Sequence, residues 1–136
     1  MKRRWRVLAI VVAVPVVAYV LAVAYFTFVP SAEDHAHRVP FVPQTWRDRS
    51  LDQDPLWPTR LRMVDDLIAQ RHLDGLSRAQ TESLLGPGDK TGKWADWDLI
   101  YWLGPERRGM FRIDSEWLVI RLDASGKVAR YRIVGD

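Results

Sequence analysis

Two pairs of carboxylates, Asp96 with Asp98 and Asp114 with Glu116, stand two residues apart in a chain of 136 residues. On a strand, residues i and i+2 share a face, so either pair could perform acid–base work or hold a cation. Both pairs fall where a strand begins, a place where acidic side chains are ordinarily solvated, and no pocket-forming motif accompanies them. Glu33, Asp34, His35 and His37 form a second combination, because histidines two apart beside carboxylates can chelate a divalent ion. They lie in a segment with no scaffold to close a loop around a metal, so no metal site is expected there. A serine-protease constellation would need a histidine in the folded part; only His72 is available, and no Gly-x-Ser-x-Gly elbow occurs. Gly86, Gly88 and Gly92 follow a predicted helix and precede none, which is the wrong order for a phosphate cradle. The absence of cysteine excludes a thiol protease, a thiolate metal site, a disulfide scaffold and a cysteine-linked lipid anchor. The expectation is a protein that is not an enzyme, with no catalytic residue, cofactor or metal. A small periplasmic cation-binding protein or hydrolase using the strand-end carboxylates is the alternative.

Charge is divided unevenly along the chain. Lys2, Arg3, Arg4 and Arg6 precede the first acidic residue, Glu33, whereas residues 31–136 carry 16 Lys and Arg against 17 Asp and Glu, a net charge of −1. The formal +3 of the whole chain therefore resides in the N-terminal tail and gives no footprint for nucleic acid on the folded part. Residues 7–29 contain no formal charge, and about 20 such residues at 1.5 Å each suffice to cross a bilayer core. Basic residues before this run and Glu33 and Asp34 after it predict a single pass with the N-terminus in the cytoplasm. The remainder would be periplasmic, anchored in the inner membrane. Trp5 before the run and Tyr25 and Phe26 near its end fit interfacial belts, and Pro15 is tolerable within it. A signal peptide cut after Ala22-Val23-Ala24 is the rival reading. The apolar run continues through Tyr25–Val29, which favours a retained anchor over residues 1–30.

Five of the eight prolines fall between residues 30 and 58, with no sustained helical or strand period, so residues 31–58 read as an extended linker. Phe41, Trp46 and Trp57 are too apolar for a wholly solvated tether. The folded domain is expected over residues 59–136. Thr59 is a candidate N-cap, and Leu61, Val64, Leu67 and Ile68 make one apolar face of a helix running from Arg60 to about His72. Ser77 and Gln80 form a capping box for a second, short helix with Leu84 and Leu85 inside, ended by Gly86-Pro87. Three strands follow, Leu99–Leu103, Trp117–Leu122 and Val128–Val134, with a loop opening at Gly104-Pro105 and running through Gly109 to Ser115, and a turn at Asp123–Gly126. The predicted class is α+β: a transmembrane helix, then two short helices packed on a three-stranded antiparallel sheet, in the order ααβββ.

The run from Leu73 to Asp89, with its Leu-Asp-Gly-Leu-Ser start, capped helix and Leu84-Leu85-Gly86-Pro87-Gly88-Asp89 end, resembles the SmpA/OmlA (BamE-like) family, as does Tyr101-Trp102-Leu103-Gly104. The resemblance spans about Arg60 to Val134. It implies an ααβββ fold and a non-enzymatic envelope protein that works by binding other proteins or lipids. Without a lipobox cysteine, this chain cannot carry the family's lipid anchor.

A four-residue turn at Asp123–Gly126 would set Leu122 opposite Lys127, Ile120 opposite Ala129, Leu118 opposite Tyr131 and Trp117 opposite Arg132. One face is then apolar, and the other carries Trp117, Val119, Arg121, Arg130 and Arg132, with Arg132 stacked on Trp117. Trp and Arg are the types enriched in binding hot spots, so this face is the candidate partner-binding surface. The expected role is a membrane-anchored envelope interaction module. It would contact the lipid bilayer through residues 7–29 and an envelope protein or lipid through the sheet face.

Overall fold

The computed structural model describes residues 2–108 and 111–136, with side chains from Ile10 onward. Trp5 and Gly109, singled out above, therefore lie outside what can be compared. The chain is an α+β protein that divides into two compact units, residues 1–36 and 37–136. The first unit is one helix, α1 (Lys2–His37), which carries Pro15 and Pro30 inside it. Its portion Ile10–His37, 28 residues, is long and apolar enough to cross a membrane. The helix runs seven residues past the expected anchor limit of 30. Ala32, Glu33 and Ala36 favour helix, and Ser31 donates to the Thr27 carbonyl at 3.2 Å beside the Pro30 interruption.

The second unit holds α2 (Pro43–Arg47), a 3₁₀ turn (Arg49–Leu51), α3 (Thr59–Ala69), α4 (Arg78–Leu85), β1 (Leu99–Pro105), β2 (Ser115–Leu122) and β3 (Val128–Gly135). The strands form an antiparallel sheet in the order β1-β2-β3. The segment expected as a linker is folded instead. Phe41, Trp46 and Trp57 enter the core, Trp46 with 0% of its surface exposed. Prolines that break a helical period also start helices: Pro43 occupies the first turn of α2, where the missing N–H would have no partner in any case. Backbone bonds tie this stretch to α3, with Val39 N–H donating to the Arg62 carbonyl at 3.0 Å and Phe41 N–H to Asp66 at 2.8 Å.

Helix α3 starts one residue earlier than its expected cap allows. Pro58 precedes it, and the Thr59 N–H donates to the Asp52 carboxylate at 2.8 Å, so a side chain from the supposed linker satisfies a helix-start donor. The helix ends at Ala69, before His72, because Arg71 adopts φ 56°. The capping box of α4 is formed as expected, with Gln80 N–H to Ser77 Oγ at 3.2 Å and Ser77 N–H to Gln80 Oε1 at 2.8 Å. Gly86 ends α4 at φ 83°, ψ 176°, a region essentially closed to other residues. Leu85 is fully buried and Leu84 only half-buried, against the expectation that both are core.

Gly104 and Pro105 continue β1 across a bulge, pairing with Glu116 and Ser115, rather than opening a loop. A side chain at Gly104, where φ is 152°, would meet Pro58 Cδ at 2.9 Å and Leu61 at 3.2 Å. The sheet therefore approaches the start of α3 closely enough to require glycine. The β2–β3 register also differs from expectation: Ile120 faces Tyr131, Leu118 faces Ile133 and Trp117 faces Val134. Leu122 pairs with Val128 and Arg121 with Arg130, leaving Ala129 as an extra residue in β3. The turn, one residue longer than expected, and the bulge each shift the register by one, a total of two that preserves which residues share a face from Arg130 onward.

Leu99, Tyr101, Leu103, Leu118, Ile120 and Val128 meet Leu61, Val64, Leu67 and Leu85 in one core, together with Phe41, Trp46 and Trp57. Trp46→Ala should cost about 3–5 kcal/mol in a denaturant melt of the full chain, as for a fully buried aromatic, whereas an extended linker would leave stability unchanged. Leu85→Ala should cost about 2–5 kcal/mol and Leu84→Ala clearly less.

Candidate functional site

One carboxylate of each strand-end pair, Glu116 and Asp98, is engaged in holding the fold together. Glu116 is buried, and its two oxygens accept from the Arg107 N–H and Nε, each at 2.9 Å. Arg107 also bonds Asp65, which pairs with Arg38 at 3.3 Å. Burial works against the Arg107 charge, but Glu116 and Asp65 outweigh it and hold the guanidinium pKa above its ordinary value. Asp98 accepts from the Leu122 N–H at 2.8 Å, extending the β1–β2 ladder, and Asp96 contributes its backbone carbonyl to Arg121. Neither pair therefore converges on a common point. Among the described residues, no group of three or more His, Asp or Glu is set to hold a metal. The His37 ring instead stacks on Trp57 at 4.1 Å, and His72 lies against Phe41 at 5.2 Å.

The outer sheet face is differently built. Val119 faces Arg132 and Arg121 faces Arg130, so these side chains emerge side by side with Trp117 on the same surface. They gather around an aromatic ring that precedes β1: the guanidinium carbons of Arg121, Arg130 and Arg132 lie 5.3, 5.2 and 5.3 Å from the Trp97 ring centre. The stack expected between Arg132 and Trp117 is thus made with Trp97. Trp97 could not be placed from strand periodicity, because it sits in the irregular segment before Leu99. Val119 is fully buried and offers nothing to a partner, while Trp117 and Arg121 are half-buried and Arg130 and Arg132 are exposed. Arg121 also donates to the Asp96 carbonyl, which pins the Trp97 segment over the sheet. No carboxylate among the described residues pairs with Arg130 or Arg132. Three like charges around one quadrupole repel one another and are eased by a bound anion.

The remaining open depressions are shallow. One, about 490 Å³, lies between α2 and α4 and is lined by Arg47, His72, Leu76 and Gln80; it brings together no acid–base pair. Comparison of the chain with family models, with curated proteins and with solved structures finds no match.

On the inner face, the Tyr131 hydroxyl donates to Asp74 at 2.7 Å and Arg71 to the same carboxylate at 2.6 Å. These bonds hold the Asp74 carboxyl below its ordinary 3.8. Burial, and then the bond to Asp74, push Tyr131 up to about 12. A carboxyl with a depressed folded pKa contributes stability that is full above the unfolded value and lost as pH falls through the folded one. The melting-temperature gap between the parent and Asp74→Asn should therefore be constant near neutrality and close as pH drops below about 4. A gap independent of pH would place the bond outside the folding equilibrium. Glu116→Ala strips Arg107 of a buried partner and should cost about 3–5 kcal/mol, measured by denaturant titration at neutral pH.

Proposed function

We propose that this protein is a membrane-anchored, non-catalytic interaction module whose α1 is retained as a single-pass anchor and whose sheet face binds an acidic partner of the cell envelope. The observation that carries the reading is the ring of three arginines around Trp97, in which Arg130 and Arg132 have no carboxylate partner among the described residues. A folded unit of near-zero net charge that nonetheless concentrates unpaired guanidinium on one aromatic patch is complementary to a negative surface. Arg and Trp are also the side chains that yield the most binding energy when a partner excludes water from them. The resemblance of Leu73–Asp89 and Tyr101–Gly104 to the SmpA/OmlA family supports the same role. So does the structural use of Glu116 and Asp98, which leaves neither strand-end pair with both carboxylates available to act together.

The anchor reading assigns the N-terminus to the cytoplasm and the folded unit to the periplasmic side of the inner membrane. A reporter active only outside the cytoplasm, fused after Asp136, should be active, and the protein should resist extraction by salt and alkaline washing. A mature chain beginning after Ala24 would leave a soluble periplasmic domain and overturn the anchor. Crosslinking in intact cells should capture a partner through the face, and Arg130→Gln with Arg132→Gln should abolish the crosslinks while leaving the melting temperature nearly unchanged. A large stability loss in these exposed-site variants would show that the face is part of the core.

A further inference from the structure

The sheet has two outer edges, and the chain closes one of them. Along β1 the edge groups of Ile100 and Trp102 are taken by Asp89, whose N–H donates to the Ile100 carbonyl at 2.7 Å and whose carboxylate accepts from the Trp102 N–H at 2.6 Å. Strand β3 forms the other edge. Its start is covered, because Val128 donates to the Leu76 carbonyl at 2.8 Å and Lys127 bridges Ser77. Beyond that point the phase of the ladder decides which groups are used. In antiparallel pairing, residues whose main chain faces one neighbour alternate with residues whose main chain faces the other way. Asp136 donates to the Ser115 carbonyl at 3.2 Å and Asp98 to the Ile120 carbonyl at 3.0 Å, which fixes that phase. Arg130, Arg132 and Val134 turn toward β2, and Tyr131, Ile133 and Gly135 turn away from it. Among the described residues, no hydrogen bond reaches the N–H or carbonyl of these last three. An open edge of this kind is a template for another strand.

The two faces of β3 set which strand fits. Exposed Arg130 and Arg132 stand on the outer face, and half-buried Tyr131 and Ile133 on the inner one. A strand added beside β3 distributes its own alternate residues to the same two faces. A second copy of this chain fits poorly. Pairing β3 with itself so that Tyr131 meets Ile133 sets Arg132 directly opposite Arg132, and like charges so placed destabilise the pair. An acidic segment has the reverse effect. Its carboxylates would meet two guanidinium groups that lack a carboxylate partner among the described residues and are already held against the Trp97 ring, at 5.2 and 5.3 Å.

We propose that β3 accepts an extended segment of a partner protein as a fourth, antiparallel strand, its acidic residues opposite Arg130 and Arg132 alternating with apolar residues opposite Tyr131 and Ile133. Main-chain bonds to Tyr131, Ile133 and Gly135 supply affinity, and the arginines supply selectivity. This rests on the reading of the outer face as the binder of an acidic partner, and the experiment separates the two. The full-length protein in phosphatidylcholine nanodiscs is titrated with a short fluorescent peptide of alternating Glu and Val. The same titration is made with a Lys and Val counterpart, and with the Glu and Val peptide N-methylated at every valine, the residues that would donate to β3. The first peptide should bind, and Arg130→Gln with Arg132→Gln should weaken it about tenfold. N-methylation should weaken it by roughly tenfold or more, and the Lys peptide should bind least. On binding, the Tyr131 and Ile133 amides should exchange with solvent more slowly, while those of Arg130 and Arg132, already in the ladder, keep their rates. An N-methylated peptide that binds as tightly as its parent overturns strand addition and leaves recognition of acid by the outer face standing. A Lys peptide that binds as tightly as the Glu peptide overturns the proposal together with the acidic-partner reading. Absence of binding by every peptide overturns the proposal as well. Slow exchange at Tyr131 and Ile133 before peptide is added, slowing further with protein concentration, overturns it in favour of a second copy.

Discussion

The second unit is organised around one buried charge. Arg60, 5% exposed, lies between the Trp46 and Tyr101 rings, its guanidinium carbon 5.7 and 5.5 Å from their centres, and reaches Asp89 at 3.2 Å. Burial drives its pKa down, and the Asp89 carboxylate opposes that shift. Each partner comes from a different part of the chain: Trp46 from α2, Tyr101 from β1, Asp89 from the segment after α4. A buried guanidinium is tolerated only with partners in place, so these segments must arrive together. Asp89 also accepts from the Trp102 N–H at 2.6 Å and donates its own N–H to the Ile100 carbonyl at 2.7 Å, aligning β1 against the end of α4. Tyr101 completes the lock by donating its hydroxyl to the Gly86 carbonyl at 2.9 Å. The Gly86-Pro87-Gly88-Asp89 sequence therefore has a mechanical reason in this fold.

Much of this was legible locally and little of it at long range. The Ser77–Gln80 capping box, the Gly86 stop and the three strands were readable because each is set by residues within a few positions of one another. Residues 38–58 were misread because a proline-rich aperiodic stretch looks alike whether it is solvated or strapped to a core. What decides is that Asp52 and Asp66 accept backbone N–H bonds at Thr59 and Phe41, and neither bond leaves a trace in the pattern. The register failed for a comparable reason. The extra residue at Ala129 adds a bulge that turn length alone does not announce, yet face membership survived because the net slip was even.

The candidate surface shows how net charge can mislead. Residues 31–136 balance almost to zero, but the charges are not matched one for one in space. Glu116, Asp65, Asp89, Asp74 and Asp98 are bound to Arg107, Arg38, Arg60, Arg71, Arg78, Tyr131 or backbone N–H groups. Several carboxylates are thus engaged in holding helices to the sheet, while Arg130 and Arg132, on the outer face around Trp97, have no carboxylate partner among the described residues. Strand alternation reveals which arginines share that face. It does not reveal that a tryptophan from outside the sheet gathers them.

A tethered binding face also differs from a free one in whom it can meet. Within the folded unit the first bonds run from Arg62 to the His37 carbonyl at 3.2 Å and from Val39 to the Arg62 carbonyl at 3.0 Å, so the fold begins at its own first residue. Even a flexible tether of twenty-odd residues has a reach of only about 25 Å as a coil. On the proposed reading, α1 confines the arginine face to one membrane, at a high local concentration relative to anything embedded in or seated on it. Modest contacts then suffice, because tethering has already removed much of the translational freedom that association would otherwise have to overcome. A patch of three arginines and one tryptophan, too small to retain a soluble partner, becomes adequate for a neighbour confined to the same bilayer.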